Sequence, residues 1–349
     1  MKHLSLLLTA LLLSATSLSS IAAEKGNAYV SNQDGGVSVI DLDSMETTGN
    51  IDIQAKSPRG IAVTADGKFL ITANKDDGNI SVIDRASGQL IKLIPVGKNP
   101  EFVRVHKGLV FVSTEPSSKG GPPPKPGETV KEEEDDDKVP AIIAVVDLKK
   151  GKKVREIVGG PETEGIEFSK DGKKIIITNE ADNTITVHNF ATGKLLKTIS
   201  TKEYGDRPRG IKVSPDGSYY LATLEYGNKF MVLDKKFNVT RTVETGQSPY
   251  GISFDRKGER IFIATSKEKT LQVFDAKTFE KIKDISTGNR CWHFSFTPND
   301  KEILLACGKS QAIMVIDTES LEKTKEIANK EMPWGVVTYP KSMGSLDQP

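Results

Sequence analysis

Long apolar runs are almost missing from this 349-residue chain. The one present, LSLLLTALLL, follows Lys2 and His3 and gives way to the small residues Ser20-Ile21-Ala22-Ala23. It reads as a cleavable export signal over 1–23, too short and wrongly flanked to span a membrane. No cysteine follows it, so a lipid anchor is not indicated. The expected location is the periplasm, with no membrane span after processing. Excess charge is missing too, with 48 Lys and Arg against 47 Asp and Glu. Losing the signal removes one basic residue, Lys2, and leaves the mature chain neutral. A nucleic-acid-coating surface would carry a basic excess or stripe, so nucleic acid is not an expected partner.

Histidine and cysteine are scarce, at four and two residues. The chain has no G-x-S-x-G, H-E-x-x-H, phosphate-loop or C-x-x-C-H motif, so the familiar sequence signals for a serine nucleophile, a zinc peptidase, a nucleotide site and attached haem are absent. His106 falls in or beside a turn and His188 in a strand, both read as structural. The cysteines bracket one predicted hairpin, NRCWHFSFTPNDKEILLACG. Folding it about Pro298-Asn299-Asp300 puts Cys291 and Cys307 nearly opposite, which suggests a disulfide closing a loop of about 16 residues for roughly 3 kcal/mol. The rival is a thiol or metal site of Cys291, His293 and Cys307, which lacks a fourth ligand and the usual zinc spacing.

What the chain has in abundance is a repeat. SPRGIAVTADGKFLITANKDDGNISVIDRASGQLIKLIPVG (57–97) returns as RPRGIKVSPDGSYYLATLEYGNKFMVLD (207–234) and SPYGISFDRKGERIFIATSKEKTLQVFDAKTFEKIKDISTG (248–288). Each unit reads as four short strands, such as GIAVTA, FLITAN, NISVID and LIKLIPV, separated by Asp-Gly and Ser-Gly turns. Four strands per unit of about forty residues predict an all-β chain, a β-propeller. First strands begin near Arg59, Glu101, Glu164, Arg209, Tyr250, Trp292 and Trp334, which implies seven blades. The last start supplies one strand, and the mature N-terminus (NAYVSN, GVSVID, TTGNIDI) supplies three. Together they would close the ring and leave no open sheet edge. One domain is therefore expected over 24–340, a monomer, followed by a tail at 341–349. A proline-rich, acidic insertion at 116–139 interrupts one blade and is expected to be disordered; its run Glu132 to Asp137 lacks the ligand spacing of a calcium loop.

Because first strands line the central channel of a propeller, their starting residues form a ring around one mouth. Arg59, Glu101, Glu164, Arg209, Tyr250, Trp292 and Trp334 vary where the scaffold repeats, and they form the candidate ligand site. His293 joins them, standing where other blades carry Gly60, Gly165, Gly210 and Gly251. Ends of second strands add Asn32, Asn74, Asn179, Glu180, Glu225 and Lys267. Arginine forks would take carboxylate or phosphate, and indoles would offer flat faces. The plain alternative is that Arg59 and Arg209 neutralise Glu101 and Glu164 while the tryptophans plug the channel.

The segments AYVSNQDGGVSVIDLDS, FLITANKDDGNISVIDRASG and IIITNEADNTITVHNFATG resemble the YVTN family of β-propeller repeats. The export signal, the seven repeats and the stretch RCWHFSFTPNDKEILLACGKSQAIMVID…MPWGVVTYPKSMGSLD together resemble the periplasmic propellers associated with PQQ-dependent catabolism. That resemblance implies an accessory role in periplasmic alcohol or aldehyde oxidation, and a varied rim on a regular scaffold with no catalytic set makes the expected role a non-enzymatic one. It would bind a small ligand or a periplasmic partner, such as a quinoprotein dehydrogenase or an ABC-transporter component, at the channel mouth. No cofactor is identified, and no catalytic residue is assigned in that reading. Two others stay open: a lactonase-like hydrolase using Glu101, Glu164 and Arg209, with or without a divalent cation, and a metal- or haem-handling propeller.

Overall fold

The computed structural model describes residues 26–117 and 139–347. The export signal at 1–23 and all but the ends of the insertion at 116–139 lie outside them. Blade 1 comprises β1 (Asn27–Asn32), β2 (Val37–Asp41) and β3 (Glu46–Ile51), with an inner strand taken from the far end of the chain. Blade 2 is β4 (Pro58–Val63), β5 (Phe69–Asn74), β6 (Asn79–Asp84) and β7 (Leu90–Pro95). Blade 3 is β8 (Pro100–His106), β9 (Leu109–Thr114), β10 (Ile142–Asp147) and β11 (Lys152–Val158). Blade 4 is β12 (Thr163–Phe168), β13 (Lys174–Asn179), β14 (Thr184–Asn189) and β15 (Leu195–Ser200). Blade 5 is β16 (Pro208–Val213), β17 (Tyr219–Leu224), β18 (Lys229–Asp234) and β19 (Val239–Glu244). Blade 6 is β20 (Pro249–Phe254), β21 (Arg260–Thr265), β22 (Thr270–Asp275) and β23 (Lys281–Ser286). Blade 7 is β24 (Cys291–Phe296), β25 (Glu302–Cys307), β26 (Ala312–Asp317) and β27 (Glu322–Ala328). The strand that completes blade 1 is β28 (Pro333–Tyr339), antiparallel to β1 from Asn27↔Tyr339 to Asn32↔Pro333. The seven-bladed, closed ring predicted from the repeat is the fold.

Recurring residues have local jobs. The Asp or Asn ending each third strand (Asp41, Asp84, Asp147, Asn189, Asp234, Asp275, Asp317) accepts backbone N–H groups two to four residues on, at 2.7–3.1 Å. This Asx geometry turns the chain into the exposed fourth strand. Glycine recurs third in the inner strands because a Cβ there would lie 2.5 Å from a carbonyl of the next inner strand, as at Gly60 with Glu101 and Gly210 with Tyr250. Buried Val, Ile, Leu and Phe of the first three strands fill the spaces between blades. Among the described residues no helix is long and apolar enough to cross a membrane.

The tail is not a loose end. Residues 341–347 run along the inner edge of β24, inside the channel, where Phe296 N–H donates to the Met343 carbonyl (2.8 Å) and Ser345 N–H to the Phe294 carbonyl (2.9 Å). Leu346 is fully buried among Phe102, Tyr250, Trp292 and Trp334. The segment that patterning left as an appendage is thus part of the core, and it closes the channel from the end opposite the mouth.

Candidate functional site

Seven residues, one per blade, stand just before the inner strands in the left-handed region: Ser57, Asn99, Glu162, Arg207, Ser248, Arg290 and Met332, with φ of 51° to 58°. Each carbonyl accepts the N–H of the residue that follows the neighbouring second strand of its own blade. The pairs are Ser57 with Lys75, Asn99 with Glu115, Glu162 with Glu180, Arg207 with Glu225, Ser248 with Ser266, Arg290 with Gly308 and Met332 with Gln33, at 2.9–3.0 Å. This collar fixes three residues per blade at one mouth: the collar residue, the second residue of the inner strand, and the residue after the second strand, which in blade 7 is Gly308. All seven inner-strand positions expected from the repeat are there.

Ionic side chains crowd one arc, from blade 2 to blade 5. Arg59 pairs with Glu101 and its Nε donates to Gln33 (3.1 Å). Arg209 pairs with Glu180, lies 3.5 Å from Glu164 and donates from Nε to Glu225 at 2.7 Å. Arg207 pairs with Glu180 and stands 3.6 Å from both Glu162 and Glu225. The Tyr250 hydroxyl donates to Glu164 (2.9 Å), with the Arg209 guanidinium over its ring at 4.6 Å. The expected neutralisation of Glu101 and Glu164 by Arg59 and Arg209 therefore exists, but it is incomplete. Six carboxylates, Glu101, Glu115, Glu162, Glu164, Glu180 and Glu225, none more than 5% exposed, meet three guanidinium groups. Glu101 Oε2 and Glu115 Oε1 are buried with no hydrogen-bond donor.

Burial drives the electrostatics here. It raises Glu115 well above the usual carboxylate range, helped by the charges of Glu101, Glu180 and Glu164. It also raises Glu180 well above that range and Glu164 less far, against the pull of the arginines. Burial works the same way on Glu225, yet Arg209 and Arg207 outweigh it and hold its carboxyl low. Burial, with Glu164 close by, keeps the Tyr250 phenol protonated far above its ordinary pKa and so a donor.

Several sequence assignments need correction. Trp292 and Trp334 are 6% and 2% exposed, so they offer no free indole face. Trp292 lies against Gly308, where a Cβ would come within 2.2 Å of its ring, and Trp334 packs on His293 with centroids 4.4 Å apart. His293 is not at the mouth. It sits a layer below, 1% exposed, among Phe102, Tyr250 and Trp334, with Nδ1 3.1 Å from Ser345 Oγ. Burial, with Arg209 and Lys212 adding to it, lowers its pKa well below the ordinary value and keeps the ring neutral. Cys291 and Cys307 form the disulfide, which removes the thiols that a metal site with His293 would need. Asn32, Asn74 and Asn179 bond within their own blades to Ser38, Ser81 and Thr186. Ser266, not Lys267, holds the blade 6 place after the second strand. Reading by strand ends missed Glu115, Glu162, Arg207 and Arg290. Glu115 was findable, because FVSTE, IITNE and LATLE share one register.

Below the aromatic layer, fifth residues of inner strands form a second ionic group. Arg104 pairs with Glu167 (2.9 Å) and donates to the Leu346 carbonyl (2.9 Å), while Lys212 donates to the Asp347 carbonyl (3.1 Å) and lies 3.9 Å from Glu167. Burial, aided by Arg104 and opposed by Glu167 and Asp347, pushes Lys212 down to about 7. Between that value and the unfolded 10.5 the unfolded chain binds the extra proton, so this group makes stability rise with pH there. Lys212→Met is expected to remove the rise. From pH 7 to 9, urea melts should show the wild type gaining about 2 kcal/mol on the variant, at ~1.4 kcal/mol per pH unit; a pH-independent difference would count against a strained lysine.

Residues 17–106 match the family model described as "Lactonase, 7-bladed beta-propeller". No curated protein matches the chain. Among solved structures, Kuenenia stuttgartiensis hydrazine synthase superposes with a TM-score of 0.71 at 19% identity, covering 84% of this chain and 93% of that one. A Bacteroides uniformis protein assigned as a 6-phosphogluconolactonase gives 0.73 at 17%, covering 90% and 100%. The periplasmic gluconolactonase of Pseudomonas aeruginosa gives 0.72 at 15%, covering 90% and 98%. At these identities the likeness establishes the propeller alone. The expectation of a non-enzymatic accessory to PQQ-dependent oxidation is overturned: the family model is a lactonase one, two of these neighbours carry lactonase names, and no PQQ-associated protein stands among them.

Proposed function

We propose that the chain is a lactonase-like hydrolase working at the collar mouth. The observation that carries this reading is the unbalanced ionic arc, in which Glu101 sits fully buried beside Arg59 with Oε2 free of any donor. A carboxylate held by one oxygen, with the other buried and without a donor, is a strong acceptor and can act as a general base toward a water admitted beside it. Glu101 Oε2 takes a proton from water as the water oxygen bonds to the lactone carbonyl carbon. The oxyanion forms against Arg59 and Arg207, whose side chains keep 21% and 26% exposure. Collapse breaks the ring C–O bond, the proton passes to the ring oxygen, and a hydroxy acid leaves. Arg209 and Tyr250 hold Glu164 in place. Because the tail closes the opposite end, substrate would enter and product leave by the mouth.

The reading includes export, supported by the apolar run before residue 24 and by a disulfide, a bond suited to an oxidising compartment. The test uses protein recovered from the periplasmic fraction, whose mass should lack residues 1–23, assayed on five- and six-membered lactones, δ-gluconolactone included. Hydrolysis above the buffer rate is expected. Glu101→Gln should lower kcat by about 100-fold or more with little change in KM. Rates equal to buffer across the panel, or an unaffected Glu101→Gln, would sink the proposal.

A further inference from the structure

We propose that Glu115, Glu164 and Glu180 bind a divalent cation of calcium's size at the mouth, a property that stands whether or not the mouth hydrolyses lactones. Each of the three offers one carboxylate oxygen, and these oxygens lie within 4.8 Å of one another, on residues 4%, 1% and 1% exposed. Opposite ligands of calcium stand roughly 4.6–5.2 Å apart, from Ca–O distances of 2.3–2.6 Å, whereas magnesium holds them at about 4.0–4.2 Å in a near-ideal octahedron. The three oxygens are close enough to share one coordination shell, and calcium's flexible, many-oxygen coordination asks less of their placement than magnesium's near-ideal octahedron.

Acidic clusters often need no cation, and here two observations outside the trio point to one. Glu101 is a fourth carboxylate, fully buried, whose charge bears on both Glu115 and Glu164 and whose Oε2 lacks a donor. Asn99 turns its amide nitrogen to Glu115, 3.1 Å from the carbonyl and 3.4 Å from Oε2, and leaves its buried Oδ1 without a partner. The Glu101 charge deepens the deficit that a cation would fill, and the Asn99 amide oxygen, unpaired on a residue that bonds Glu115, is a hard donor of the type calcium takes. Arginine does not finish the work: Arg209 engages Glu164 and Glu180, while among the described residues no guanidinium reaches Glu115 within ion-pair distance. Protonation is the rival means of compensation, since burial raises both Glu115 and Glu180.

The mature protein, stripped with chelator and titrated with CaCl₂ by calorimetry, is expected to bind one ion and to melt several degrees higher when saturated. Glu115→Gln keeps the shape and removes one ligand charge. It should still melt cooperatively in chelator and bind at least tenfold more weakly. Glu164→Asp, shortened by a methylene, is the second variant and should also bind more weakly. No heat and no melting shift with millimolar Ca²⁺, Mn²⁺ or Mg²⁺ overturns the proposal, as does unchanged affinity in both variants. Lactone hydrolysis in chelator by protein that binds no cation would defeat this inference alone. A bound cation without hydrolysis would defeat the hydrolase reading alone.

Discussion

Deleting residues 334–349 is expected to abolish cooperative folding, although it removes under a twentieth of the chain. The deletion takes β28 from blade 1, leaving β1 with an unpaired inner edge and removing the strand that stands between β4 and β24. It also removes Trp334, Val336 and Val337, each 2% exposed or less. An aromatic side chain buries 150–250 Å², worth about 4 to 6 kcal/mol at ~25 cal/mol/Å². Each valine adds roughly 1.5–3 kcal/mol, so together they rival a whole domain's stability of about 5–15 kcal/mol. A chain ending at Pro340 separates the two C-terminal roles: it keeps the closing strand and loses only the channel segment with Leu346. That variant should fold and melt several degrees lower. Circular dichroism melts and gel filtration of both truncations decide the matter. If the shorter chain melts like the full one, strand closure is not what holds the ring.

Arg209→Met should be the most damaging single substitution at the mouth. Methionine fills much of the space, but Glu164, Glu180 and Glu225 then share what remains of the arginine charge, chiefly Arg207. Breaking a buried ion pair by removing one partner costs about 3–5 kcal/mol, because the other charge stays buried. The sign with pH follows from the same carboxylates. Glu164 and Glu180, already raised, would rise further and Glu225 would lose much of what holds it low, so the folded state would hold more protons than the unfolded one and stability would fall as pH climbs from 5 to 8. Adding Glu180→Gln should recover part of the loss. The measurement is urea unfolding in chelator at the two pH values. A variant within about 0.5 kcal/mol of wild type, or no recovery in the double variant, would show that the arc is not electrostatically strained.

Blade number, ring closure and the inner-strand ring were legible because they depend on register, and register repeats. Trp292 and His293 were located in the chain correctly; burial of the tryptophans was one of two readings left open, while that of His293 was not foreseen, because it depends on Ser345 and Leu346 arriving from elsewhere. The stretch Ser342-Met343-Gly344-Ser345-Leu346-Asp347 has no period and little apolar content; only the width of the channel makes it core. Glu115 could have been found from the register it shares with Glu180 and Glu225, although the insertion that begins beside it masks the match. Glu162 and Arg207 look like turn residues in sequence, and only the left-handed collar turns them toward the mouth.

That collar makes the mouth modular. At the mouth the backbone of each blade is clasped by one carbonyl and one N–H, neither of which belongs to a side chain, so collar residues that carry no ion pair can change without breaking that clasp. At the collar position itself the backbone sets the constraint: β-branched residues suit the left-handed region poorly, while Ser, Asn, Glu, Arg and Met all occupy it here. A new substrate preference could thus be grafted at collar positions outside the ion pairs of the arc, of which Ser57, bonded to Asp76, is one.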